Sequence, residues 1–240
     1  VMEACAENNI KLIILDRPNP NSHYIDGPVL NPINKSFVGM HEVPIVYGMT
    51  IGEYAKMING EGWLNNSINC ELKVIPLKNY THKSNYIIPL RPSPNLPNKK
   101  AVELYPSLCL LEPTVVSVGR GTEMQFQIYG NPKFPKSKFK FIPRPNFGAK
   151  NPKHNSVMCY GEDLRRIKKE NNINIKWLID SYNKYPDKKN FFLKGFDKIS
   201  GDSLLKHQII TGWNQKEIRR TWNEKLEKFK ITRNKYLIYP

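Results

Sequence analysis

Glu112 follows the apolar run Ser107–Leu111, and a little further on Arg120 stands between Gly119 and Gly121, ahead of Thr122. A carboxyl group desolvated by apolar neighbours keeps its proton to higher pH, as a general acid must. A guanidinium grips a carboxylate through two parallel N–H bonds, which a lysine ammonium cannot do. A second group, Asp16, Arg17 and Asn19, follows the apolar run Ile10–Leu15 and is interrupted by Pro18 and Pro20. In open α/β sheets, polar groups just past a strand's C-terminal end line the ligand crevice. A third set, Arg91, Ser93 and Asn95, projects from a loop stiffened by closely spaced prolines. His41 and His82 do not have the spacing of a metal-binding pair, and no metal or cofactor is expected.

These groups need a framework. Ile10–Leu15 reads as a parallel strand covered on both faces, and Ser107–Leu111 as a buried strand carrying Cys109 into Glu112. A short helix is expected from Lys99 to Leu104, a short strand at Pro44–Tyr47, and another where Leu72 and Val74 alternate with polar residues. Thr50 with Glu53 is a capping box that opens a helix with Ile51, Tyr54, Ala55 and Ile58 on one face. Beyond Gly130 the composition shifts toward Lys, Phe and Asn. Lys133–Phe141 alternates like a strand with one wet face, and Gly161–Pro186 reads as two helices or one interrupted helix. Asn214 with Glu217 resembles a second capping box ahead of an Ile218, Trp222, Leu226 and Phe229 stripe, and Lys235–Pro240 reads as a closing strand. The expected fold class is therefore α/β with a mainly parallel sheet over residues 1–130, followed by a smaller α+β part over residues 131–240.

With 40% hydrophobic and 11% aromatic residues, the chain has the composition of a folded protein. It has no run of about 18 apolar residues of the kind that spans a bilayer. The net charge of +16 invites a nucleic-acid reading, but the lysines are scattered among abundant Asn and Ile, so no nucleic-acid partner is expected; an anionic polymer such as a cell-wall glycan is compatible. Cys5, Cys70, Cys109 and Cys159 form no CxxC pair and read as free thiols. There is no GxGxxG, P-loop, HExxH or GxSxG motif. The chain opens on Val1 with Met2, Ala6 and Ile10 on one helical face, which suggests that an N-terminal portion precedes it.

Several segments together resemble one family. "LDRPNP", "GPVLNP", "SFVGMHEVPIVYGMTIGEYAKMINGE", "PSPNLP", "LYPSLCLLEPTVVSVGRGT" and "EIRRTW…FKITRNKYLIYP" look like the NamZ-type exo-β-N-acetylmuramidases. The resemblance implies a Rossmann-like catalytic domain, of which residues 1–130 would be the C-terminal half, and a smaller auxiliary domain. It also implies release of N-acetylmuramic acid from the non-reducing end of peptidoglycan glycans, a role in cell-wall turnover, and a periplasmic or secreted setting. A Glu-His-Gly-type motif of the family is absent here. Pro113 stands where Gly is common, and Val118 where a Glu often precedes Gly-Arg-Gly-Thr. The second acid is therefore expected upstream of Val1, and a non-catalytic glycan-binding protein is the alternative.

Glycoside hydrolysis uses two carboxyl groups, and Glu112 and Asp16 are the candidates in this chain. Arg17 and Arg120 are the candidates for the muramyl carboxylate, Asn19, Ser93 and Asn95 for hydroxyl or acetamido groups, and Tyr105 for stacking on a pyranose, as are Tyr80 and Trp63. Gly119 and Gly121 would let the chain approach the sugar closely, and Gly121 and Thr122 are further candidates for binding it. Each also has a structural alternative: Glu112 pairing with Arg120, Asp16 holding a loop, Asx turns at the asparagines, and core packing for the aromatic rings.

Overall fold

The computed structural model describes residues 1–240 as a mixed α/β protein of eight helices and seven short strands. In chain order these are α1 (Met2–Glu7), β1 (Leu12–Leu15), β2 (Asp26–Val29), β3 (Pro44–Val46), α2 (Ile51–Gly60), β4 (Leu72–Ile75), α3 (Lys99–Leu108), β5 (Ile128–Asn131), β6 (Lys140–Phe141), β7 (Cys159–Asp163), α4 (Lys176–Lys184), α5 (Phe196–Ser200), α6 (Ser203–Ile210), α7 (Gln215–Arg220) and α8 (Asn223–Asn234). Three small sheets result: β1–β4 is parallel, β2–β3 antiparallel, and β5–β7–β6 antiparallel. The expected predominance of parallel pairing is thus reduced to one pair. The main core of 30 buried residues runs from Val29 to Phe229, so apolar side chains from both halves of the sequence share one interior, with two clusters of three buried residues each beside it.

Local signals decided several elements. Thr50 caps α2, its hydroxyl accepting from Glu53 N while the Glu53 carboxylate accepts from Thr50 N. Asn214 and Glu217 form the second capping box, at α7. The stripe beyond it is buried as expected, but the helix breaks at Thr221–Trp222 into α7 and α8.

Five expectations are corrected. Ser107–Leu111 is the end of α3 followed by a 3-10 turn, Cys109–Leu111, and not a strand. A short apolar run buried on all sides has no period that separates helix from strand, and the Asn98 cap commits it to helix by accepting from Ala101 N. Pro106 has no N–H to offer Val102 O; the Asn21 side chain supplies that bond at 3.0 Å. Ile13 and Leu15 of β1 are 55% and 74% exposed, so that strand is covered on one face only. The segment read as starting a helix near Gly161 is β7, paired along β5; only Lys176–Lys184 is helical there, and within Lys133–Phe141 only Lys140–Phe141 is strand. The chain terminus is not a strand either. Its amides go to a side chain: Ile238 N and Tyr239 N both donate to the buried Glu53 carboxylate. Long-range ties include Asp26, which accepts two bonds from Arg219 at 2.9 Å each and one from Ile173 N, joining β2 to α7.

Candidate functional site

Glu112 sits one residue past the 3-10 turn that ends the α3 run, its N–H donating to Cys109 O. Arg120 reaches back with Nε to Oε1 at 2.7 Å and Nη2 to Oε2 at 2.5 Å. The guanidinium also lies 5.1 Å from the centre of the Phe126 ring, and the Glu112 carboxylate raises the Arg120 pKa further. Both Glu112 oxygens are therefore engaged as acceptors, and donating a proton would require one bond to Arg120 to open. The turn that aims Arg120 needs both glycines. Gly119 and Gly121 have φ of +81° and +80°, where a side chain is strained. A Cβ on Gly121 would also lie 2.7 Å from Arg144 O and from Pro152. The close approach at Gly121 is thus to this chain's own backbone and proline.

Lys153 had no signal in the sequence. Its ammonium donates to the carbonyls of Glu112, Thr114 (2.7 Å) and Val116 (3.2 Å), tying down the segment that carries the carboxylate. Burial, the largest influence, and Arg120 lower its pKa to about 8, while Glu112 opposes them. Next to it, His154 Nε2 lies 2.7 Å from Val115 O. Lys153→Met is expected to cost about 1–3 kcal/mol in urea unfolding, because buried carbonyls lose their donor. The pH dependence has a definite sign. The folded pKa lies below the ordinary 10.5, so the unfolded chain binds more protons between about 8 and 10.5 and wild-type stability rises with pH there. The same rise is expected to be absent in Lys153→Met.

Beside this pair opens a cavity of about 540 Å³, within the range of small-ligand sites. Glu112, Tyr105, Tyr47, Tyr54, His41 and Lys198 contribute its polar and aromatic wall, with Phe37, Val38 and Met40 at an apolar stretch. Tyr105 packs on Phe126 with ring centres 4.8 Å apart, and burial, reinforced by Cys109 and Glu112, raises its phenol to about 12. Lys198 makes no ion pair and is exposed.

Of the residues singled out in the sequence, Glu112, Tyr105 and His41 line this cavity. Asp16, Arg17, Asn19, Ser93, Asn95, Arg120, Gly121 and Thr122 do not. Asp16 is buried, its carboxylate accepting from Thr50 Oγ1, Tyr239 Oη, Gly52 N and Arg17 N. The Arg17 side chain is exposed. Asn19 bridges Met49 O and Asn21 N in an Asx turn. Asn95 Nδ2 donates to Gly148 O at 2.7 Å, and Ser93 Oγ accepts from Asn95 N. Thr122 Oγ1 donates to Gly119 O and accepts from Met124 N. Trp63 stacks on His41, and Tyr80 bonds Ser22. Sequence reasoning missed Tyr47, Lys153 and Lys198 altogether, and gave Tyr54 only a packing role. No local signal separates a cavity-facing tyrosine from a core one.

The family profile described as exo-β-N-acetylmuramidase NamZ, N-terminal, matches residues 1–100, and its C-terminal counterpart matches residues 103–239. The chain belongs to the NamZ family. It is 33% identical to the peptidoglycan β-N-acetylmuramidase NamZ of Bacillus subtilis (strain 168), over 99% of its own length and 62% of that protein's. It thus spans less than two thirds of that curated relative. Among solved structures, a DUF1343 family protein from Bacteroides fragilis NCTC 9343 matches with a TM-score of 0.97 and 47% identity. A second from the same strain matches at 0.80 and 25%. Both alignments take in the whole chain and 69% of the other protein. The cavity draws its walls from segments matched by both NamZ profiles: Pro28–Ile58 from the first, Tyr105–Glu112 and Lys198–Gly201 from the second.

Proposed function

We propose that the protein acts on peptidoglycan-derived glycans as an exo-β-N-acetylmuramidase, and that the cavity beside Glu112 receives the terminal N-acetylmuramic acid. The observation that carries this reading is a sugar-sized cavity with one carboxylate and three tyrosines in its wall, in a chain matched along its length by NamZ profiles. Tyrosine rings offer apolar faces to a pyranose and hydroxyls to its oxygens. Glu112 accepts a proton or a substrate hydroxyl when one Arg120 bond opens, and Arg120 sets its orientation. Lys198, the unpaired cation on the wall, faces the muramyl carboxylate. Asp16, Asn19, Ser93, Asn95 and Thr122 hold the surrounding loops in this reading, while Arg17 is left free to meet a longer glycan.

The parallel β1–β4 pair with α2 between its strands supports reading residues 1–130 as part of a Rossmann-like unit, with residues 131–240 as the auxiliary part. The test is release of free N-acetylmuramic acid from a chromogenic muramide, by the 240-residue chain and by whatever longer product its reading frame encodes. A product that spans the full length of the curated relative is expected to turn over, and the 240-residue chain, which spans 62% of it, to be inactive. Turnover by the shorter chain would place both catalytic groups within it, and no turnover by either would leave glycan binding as the function.

A further inference from the structure

His41 is the one imidazole in the cavity wall. Its ring stacks on Trp63 with centres 5.0 Å apart and planes 14° apart, and meets the Tyr54 ring edge-on. Tyr54 in turn stacks on Tyr47 at 5.1 Å. The imidazole is thus clamped, and one nitrogen is spoken for: Nδ1 lies 2.7 Å from Tyr54 Oη. Nε2 has no partner in the protein.

The direction of the Tyr54 bond decides what Nε2 offers. A neutral imidazole has one N–H and one bare nitrogen. Burial, with a smaller contribution from Tyr47, pushes the Tyr54 phenol above its ordinary value, so the phenol keeps its proton. Burial first and Lys35 second lower the His41 pKa, against Glu3, so the ring is neutral at pH 7. A phenol donates more readily than it accepts, and a bare imidazole nitrogen is a strong acceptor. The O–H of Tyr54 therefore points at Nδ1, and the ring proton resides on Nε2.

We propose that His41, with its tautomer set by Tyr54, is the neutral hydrogen-bond donor of the cavity, presenting Nε2–H to an uncharged oxygen of the bound sugar such as the acetamido carbonyl. This rests on the cavity being the sugar site. A neutral donor complements a carbonyl or hydroxyl without favouring a second carboxylate, whereas the opposite tautomer would present a base.

The test uses the 240-residue chain labelled with 15N-histidine, read at pH 7 by long-range 1H–15N correlation, with N-acetylmuramic acid as the probe ligand. The expected His41 signature is a protonated-type Nε2 and a bare Nδ1, with a mixture of tautomers in Tyr54→Phe. Adding the probe is expected to move the Nε2 resonance. His41→Phe is expected to weaken probe binding about 3- to 10-fold, the worth of one hydrogen bond, and His41→Gln, which retains an N–H donor, to recover most of it. Thermal unfolding checks that both variants fold, and the tautomer and the probe shift in wild type need no substitution. An Nδ1–H tautomer or an imidazolium with normal probe binding overturns the donor assignment alone. An Nε2–H tautomer with no response to the probe overturns the ligand assignment and the cavity reading together.

Discussion

Glu53→Gln is expected to lower the stability of the chain by about 3–5 kcal/mol, the cost of breaking a buried, hydrogen-bonded charge. Glu53 is fully buried. Its carboxylate accepts from Thr50 N at 2.9 Å, His82 Nε2 at 2.9 Å, Ile238 N at 2.8 Å and Tyr239 N at 3.3 Å. One side chain thus joins the start of α2, the loop after β4 and the last residues of the chain. A glutamine supplies a single acceptor oxygen and turns an NH₂ toward donors. The neighbouring groups extend the network: Tyr239 Oη donates to Asp16 at 2.7 Å, and His82 N donates to Pro240 O.

Urea unfolding measures the loss, and a change below about 1 kcal/mol would mean that the tail amides find other acceptors. Acid titration gives a second reading. Burial alone would raise the Glu53 pKa, but the bonds from His82, Ile238 and Thr50 outweigh it and hold the carboxyl below its ordinary 4.5. A folded pKa below the unfolded one contributes stability that is full above about 4.5 and is lost as pH falls through the folded value. Glu53→Gln is expected to remove that portion of the acid transition.

Glu112→Gln is expected to reduce kcat for muramide cleavage about 10²–10⁴-fold, the range for removing a positioned acid or base, in whichever product of this reading frame turns over. Folding is expected to survive. The Glu112 side chain is 26% exposed, and a glutamine oxygen still accepts from Arg120, so a loss of at most about 1 kcal/mol is foreseen for a half-exposed pair. Retained kcat in a folded Glu112→Gln variant reduces the residue to an anchor for Arg120. Arg120→Lys separates the two roles further. It keeps the charge but gives up the bidentate geometry, and is expected to lower kcat by misorienting Glu112 while leaving the fold intact.

Much of the local structure was legible in the sequence because its causes lie within a few residues. The two capping boxes depend on positions three apart, and Thr50–Glu53 and Asn214–Glu217 formed as written. The turn at Arg120 needed its glycines, and the pairing of Arg120 with Glu112 was one of the two readings that segment allowed. Failures came where the decisive partner is distant. Ser107–Leu111 carries no period of its own, and its helical state depends on the Asn98 cap and on Asn21 taking the carbonyl that Pro106 leaves free. Lys235–Pro240 has a strand composition, yet its amides are claimed by Glu53.

The amino-acid order by itself determined the family, the helix starts and the residue types from which a site is built. Tertiary structure alone decided which of those residues share a cavity. It gathered Glu112, Tyr105, His41, Tyr54 and Lys198 around one cavity. It buried Asp16 under four donors, and it gave Lys153 three carbonyls to hold. The reason is physical. Caps and turns are satisfied by near neighbours along the chain, whereas a cavity wall and a buried charge are satisfied by whatever groups packing brings within reach, and no spacing in the sequence records that distance.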